Sequence, residues 1–165
     1  MFTIRNYTNT RCELEMAKTR LNVLVDRKEK LYCKYFPLSP TIKDVIVDGG
    51  DKTKDTKMAD YLHELYEIVD VGTGMTLADE LKYQQGIVDK LERYLNEMTA
   101  SLSKMTGIEY KLYYEIVVNG VHVSKAVENI AIANEKDVRT IWNYYNKIKY
   151  EIKKLERFGY GNQIM

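Results

Sequence analysis

Proline is almost missing from this sequence: Pro37 and Pro40 are the only two in 165 residues, and glycine is held to nine. A chain so short of turn formers is a poor candidate for a many-stranded β-protein and favours long helices. Two cysteines, Cys12 and Cys33, form no CxxC pair and cannot build a zinc site alone. Reduced thiols in a cytosolic protein are the expectation. No apolar run approaches ~20 residues, so no membrane-spanning helix is expected. "MFTIRNYTNT" lacks the basic-then-apolar order of a signal peptide. Net charge is only +1, which excludes a protein that coats DNA by bulk basicity but leaves room for a local basic patch. With 45% apolar and 30% charged residues, the chain has enough to bury a core of one domain or two small ones.

Helical periodicity dominates what is present. "TRCE" at 10–13 has capping-box form, with Thr10 as cap and Glu13 reaching back. Behind it Leu14, Ala17, Leu21, Leu24 and Leu31 keep three-four spacing, which predicts a helix over about 10–35. "PLSP" ends it. Residues 37–56 read as a connection, with "DVIVDGGDK" as a short strand and a plain turn, since no phosphate-loop motif surrounds Gly49 and Gly50. Met58, Leu62, Leu65, Tyr66 and Val69 mark a shorter helix, with Gly72 and Gly74 as its C-terminal cap. From "TLAD" at 76–79, a heptad seam runs through Leu81, Val88, Leu91, Leu95, Met98, Leu102 and Met105, interrupted only at Gln84. Two long one-sided helices pack most simply as an antiparallel hairpin, and a dimeric coiled coil is the competing arrangement.

The last third has a different rhythm. "TGIE" at 106–109 is a third box-like start, and Ile108, Leu112, Tyr113 and Ile116 follow until "NG" at 119–120 breaks the helix. Ser124 is placed to cap a short helix with apolar Ala126, Val127, Ile130, Ala131 and Ala133. Asn134 is expected to take left-handed geometry in the turn, and Asp137 to cap a final helix. That helix buries Ile141, Tyr144, Tyr145, Ile148, Ile152 and Leu155, and "FGYGNQIM" trails off as a frayed end. Of the seven tyrosines between Tyr110 and Tyr160, Tyr113, Tyr144 and Tyr145 are assigned to the core, not to base stacking. Trp142 falls where it either packs or faces a partner.

Helix, break, short helix, turn, long helix is the order of a helix-turn-helix, whose last helix presents its first turns to the major groove. The candidate DNA-binding residues are Lys125, Lys136, Arg139, Thr140, Asn143, Asn146 and Lys147. Arg matches guanine edges and Asn matches adenine bidentately. Lys149, Lys153 and Lys154 join Lys125 and Lys136 as phosphate partners. Residues 104–157 hold ten Lys or Arg against seven Asp or Glu, a net of +3, so the remainder carries −2. Three packed helices with an ordinary solvated face account for the same pattern. The DNA reading requires Arg139, Asn143 and Lys147 to be exposed together.

The stretch "TGIEYKLYYEIVVNGVHVSKAVENIAIANEKDVRTIWNYYNKIK" resembles the region-4-type helix-turn-helix of sigma factors. It is more similar still to the small phage and prophage regulators of the ArpU and RinA type, which join such a module to a helical hairpin. The resemblance covers about residues 104–155 by motif and the rest by layout. It implies that the last helix is the recognition helix, which carries over to Arg139, Thr140, Asn143 and Lys147. The turn is longer than the sigma pattern, and Glu135 sits acidic beside the expected DNA face.

Catalysis finds no footing. "HELYE" at 63–67 lacks the second His of a zinc helix, and His122 has no ligand or nucleophile pattern around it. The expectation is therefore an all-α protein, no enzyme, with no cofactor and no metal. A helical hairpin over 1–103 precedes a helix-turn-helix domain over 104–165. Its function would be sequence-specific regulation of transcription in the cytoplasm of a bacterial host. The partners would be double-stranded DNA and RNA polymerase or another host protein, with homodimerisation open and no membrane. The alternative is an inhibitor on the same fold that blocks a host defence protein.

Overall fold

A computed structural model describes residues 3–37 and 53–159. Among them the protein is all-α. Helix α1 spans Ile4–Tyr35, α2 Lys54–Tyr66, α3 Leu77–Ser103, α4 Ile108–Tyr113, α5 Val123–Ala133 and α6 Val138–Gly159. A π-helical turn, Tyr114–Val118, prolongs α4. The only β-type pairing among these residues is an isolated bridge between Val69 and Thr76. The strand and turn expected at "DVIVDGGDK" lie outside the described residues, as does most of the C-terminal tail.

The chain divides into two compact units, 1–16 with 88–165, and 17–87. The domain boundary expected at 103–104 therefore falls inside the first unit. In that unit Met98 and Leu102 of α3, Leu112 and Tyr113 of α4, Val127 and Ile130 of α5, and Ile141 and Ile148 of α6 close on one core. Tyr7 belongs to it too, its ring edge-on to Tyr113 at 5.9 Å. Thr8 is fully buried; its hydroxyl donates to the Ile4 carbonyl at 2.9 Å and meets the Tyr113 hydroxyl at 2.5 Å. Burial pushes the Tyr113 phenol well above its ordinary 10.0, against the smaller opposing pull of the Thr8 bond.

These contacts explain why α1 starts six residues before the capping box at 10–13. Thr10 is a buried mid-helix residue, and Thr3 serves the helix start, accepting from the Asn6 amide at 3.2 Å. Tertiary burial of Tyr7 and Thr8 outweighs the weak helix propensity of "NYTNT".

In the second unit, Gln84 is buried and its amide donates to the Ala17 carbonyl at 3.1 Å. Further along α1, Arg27 approaches Glu80 at 3.7 Å. Pairing 17 with 84 and 27 with 80 means α1 and α3 run antiparallel within that unit. The interruption of the heptad seam is thus a satisfied polar contact. Helix α2 is capped by Thr53, whose hydroxyl accepts from Thr56 N, and buries Tyr61 and Leu65. Leu62, Tyr66 and Val69, expected in its buried stripe, are exposed. Nor do Gly72 and Gly74 cap it. The helix has ended at Tyr66, and the glycines form a tight loop in which Asp70 N donates to Met75 O (3.0 Å) and Gly74 takes φ +69°. Thr76 does cap α3, accepting from Asp79 N at 3.2 Å.

Candidate nucleic-acid interface

The local chemistry from 104 onward sets how α6 is presented. Helix α4 begins at Ile108 with Gly107 as N-cap, and no side chain bonds the cap, so Thr106 does not act as one. Asn119 N donates to Tyr114 O, five residues back, at 3.0 Å, and Gly120 turns the chain at φ +67°. The break at "NG" therefore stands, preceded by a π-turn that spacing did not disclose. Helix α5 is capped by His122, whose Nδ1 accepts from Ser124 N at 3.4 Å; Ser124 lies within the helix.

The turn between α5 and α6 is a Schellman motif. Lys136 N donates to Ala131 O at 3.0 Å and Glu135 N to Ile132 O at 3.3 Å. The left-handed residue is Glu135, at φ 52°, and not Asn134, at φ −109°. Asn134 instead ties off the helix with its side chain, Nδ2 donating to Ile130 O at 2.7 Å. Glu135 thus occupies the one position in the turn that a side chain disfavours. Asp137 starts α6: its carboxylate accepts from Arg139 N at 3.3 Å, and its carbonyl from Thr140 N at 2.9 Å. A carboxylate there also meets the positive end of the helix dipole.

Helix α6 fixes its orientation by burying Ile141, Ile148 and Ile152, with Tyr144, Tyr145 and Leu155 packed against the same core. Trp142 is half-buried, edge-on to Tyr145 at 5.4 Å. Of the residues predicted to contact DNA, Lys125, Lys136, Arg139, Asn143, Asn146 and Lys147 are exposed, and Thr140 is half-buried. They are not equally available. Lys147 reaches Glu109 of α4 at 3.7 Å and sits over the Tyr144 ring at 5.1 Å. Lys125 is 3.9 Å from Glu128 on its own helix. Among the phosphate candidates, Lys154 is half-buried and donates to Asn9 of α1, while Lys149 and Lys153 are exposed.

At 3.6 residues per turn, Arg139, Asn146, Tyr150, Lys153 and Arg157 fall within an arc of roughly 60°. All five are exposed, Tyr150 at 75%. Asn143 and Lys149 flank the row. Among the described residues no ion pair engages the side chains of Arg139, Lys149, Lys153 or Arg157. The helix carries six basic and two acidic residues. Glu156 projects about 90° from the centre of the row and Glu151 about 130° on the other side. Glu151 Oε2 is buried without a hydrogen-bond partner among the described residues. Tyr150 and Arg157 had no place among the sequence candidates; the seven-four-three-four spacing from Arg139 to Arg157 is the signal that finds them.

Elsewhere, no group of three or more His, Cys, Asp or Glu among the described residues is placed to hold a metal. His63 pairs with Glu67 one turn on. Burial raises the Cys12 thiol above its ordinary value, which suppresses the reactive thiolate. No described helix is long and apolar enough to cross a membrane. No known protein family, curated protein or solved structure matches the chain.

Proposed function

We propose that the protein binds duplex DNA through the exposed face of α6 and regulates transcription for a phage or other mobile element. One observation carries this reading: an exposed row of Arg, Asn, Tyr and Lys side chains with no acid in it, on the helix that follows a short turn. Arg139 and Asn143, in the first turns, are the residues best suited to base edges, because both make bidentate hydrogen bonds. Lys147 is demoted by its Glu109 pair, and Thr140 by its half-burial. The likeness to sigma region 4 and to the ArpU and RinA regulators supports the same assignment. It rests on the residues of 104–155 alone.

The test is selection of bound duplexes from a random pool, followed by titration of the winning site. Arg139→Ala is expected to weaken that site by about 1–3 kcal/mol and to relax the preference at one base pair. A selection that yields no enriched sequence removes the sequence-specific reading.

A second reading has its own observation. In the second unit Leu62, Tyr66, Ile68 and Val69 are exposed, and Val71 is fully so on the hydrogen-bonded loop that follows α2. Exposed apolar side chains on an ordered loop suit a protein partner. A host protein, RNA polymerase or a defence factor among them, is the class they fit. Such binding would resist salt that disrupts a phosphate interface.

A further inference from the structure

The exposed row on α6 is too long for one groove. From Arg139 to Arg157 is 18 residues, a rise of about 27 Å. The major groove is roughly 12 Å wide. A helix whose first turns enter the groove must therefore carry its later turns out over the groove edge, where the sugar-phosphate backbone runs. The side chains change character along the same axis. The first half of the face offers Arg139, Asn143 and Asn146, which present shaped donor and acceptor sets. The second half offers Lys149, Lys153 and Arg157, with the Tyr150 hydroxyl among them. Lysine is a compact point charge on a flexible stem, suited to phosphate and indifferent to base identity. Lys149, Lys153 and Arg157 are spaced four residues apart, a step of about 6 Å. All three are exposed and free of ion pairs among the described residues. Lys154, next in sequence, is withdrawn from this side by Asn9.

We infer that the C-terminal half of α6, Lys149, Lys153 and Arg157, is a separate phosphate-gripping track that supplies affinity without sequence preference. This rests on the duplex-binding reading above and divides its site in two. Specificity belongs to the first turns of the helix, and most of the salt-dependent affinity to the last ones.

The experiment needs no operator. Two unrelated 30-base-pair duplexes of mixed sequence are titrated by fluorescence anisotropy across a range of sodium chloride. The wild type is compared with the triple variant Lys149→Gln, Lys153→Gln, Arg157→Gln, with helix content checked by circular dichroism. Each lost phosphate contact flattens the slope of log affinity against log salt by about 0.9, so the triple variant should be shallower by about 2.7 on both duplexes. The single variant Lys153→Gln should lose about 0.9 and guards against misfolding of the triple. The charge-conserving variant Lys149→Arg, Lys153→Arg, Arg157→Lys should keep the wild-type slope. Binding by wild type with an unchanged slope in both glutamine variants overturns the track and leaves duplex binding standing. Absence of wild-type binding to either duplex removes the duplex reading and the track with it.

Discussion

Glu135 shows how one residue alters the reading of a turn. Sequence rules assign left-handed geometry to Asn134, because Asn tolerates it. The chain uses Asn134 as a side-chain cap on α5 and puts Glu135 at φ 52°. Its acidic charge beside the candidate interface therefore has a backbone context that periodicity did not reveal. A left-handed non-glycine residue is strained by about 1–2 kcal/mol. Glu135→Gly should raise stability by up to about 1 kcal/mol, seen as a higher denaturant midpoint with an unchanged slope. A lower midpoint would show that the turn does not strain this residue. Tyr113 yields a pH prediction. Burial raises its folded-state pKa above the unfolded 10.0, so the folded state holds its proton longer. Its contribution is fully present below pH 10 and is lost as pH climbs above that value. Tyr113→Phe should cost about 1 kcal/mol at neutral pH, from the lost Thr8 bond, and show a weaker alkaline decline than the wild type. Parallel alkaline unfolding curves for the two proteins would contradict this.

At the scale of elements, the long helices were legible because heptad spacing in 81–105 and three-four spacing in 14–31 are strong signals. Their ends were less so. Helix α1 begins at Ile4 because Tyr7 and Thr8 are drawn into a core built mostly from residues a hundred positions away. Caps were mixed: Thr76 and Asp137 serve as expected, while His122 takes the role assigned to Ser124 and Gly107 that assigned to Thr106. A cap depends on where tertiary packing starts the helix, and the sequence offers two choices at each start, Thr106 or Gly107 and His122 or Ser124. The buried face of α6 was read correctly from Ile141, Ile148 and Ile152. Its exposed face was read through Lys149 and Lys153 as phosphate partners, but Tyr150 and Arg157 were left outside the candidate set. Gln84 is the element-scale test. A buried polar residue in an apolar seam fixes register at a cost in stability. Gln84→Leu should raise the melting temperature while broadening the pairing states of α1 and α3, visible as extra or broadened amide resonances. A lower melting temperature would mean that the Gln84–Ala17 contact contributes more than an apolar side chain in its place.

For the whole molecule, charge is arranged more informatively than its total. A net of +1 hides an α6 with six basic and two acidic residues, whose exposed row contains no acid. The division into two units, with the ends of α1 and α3 joining the C-terminal helices, was not readable from heptads, because a continuous seam carries no mark where its partner changes. The exposed apolar residues at 62–71 belong to the second unit and set up a choice of partner class that ionic strength resolves. The most direct measurement is the salt dependence of wild-type binding to duplex DNA. Three to five phosphate contacts predict a slope of about −2.7 to −4.5 in log affinity against log salt. No binding at low salt, or a slope near zero, would contradict the account.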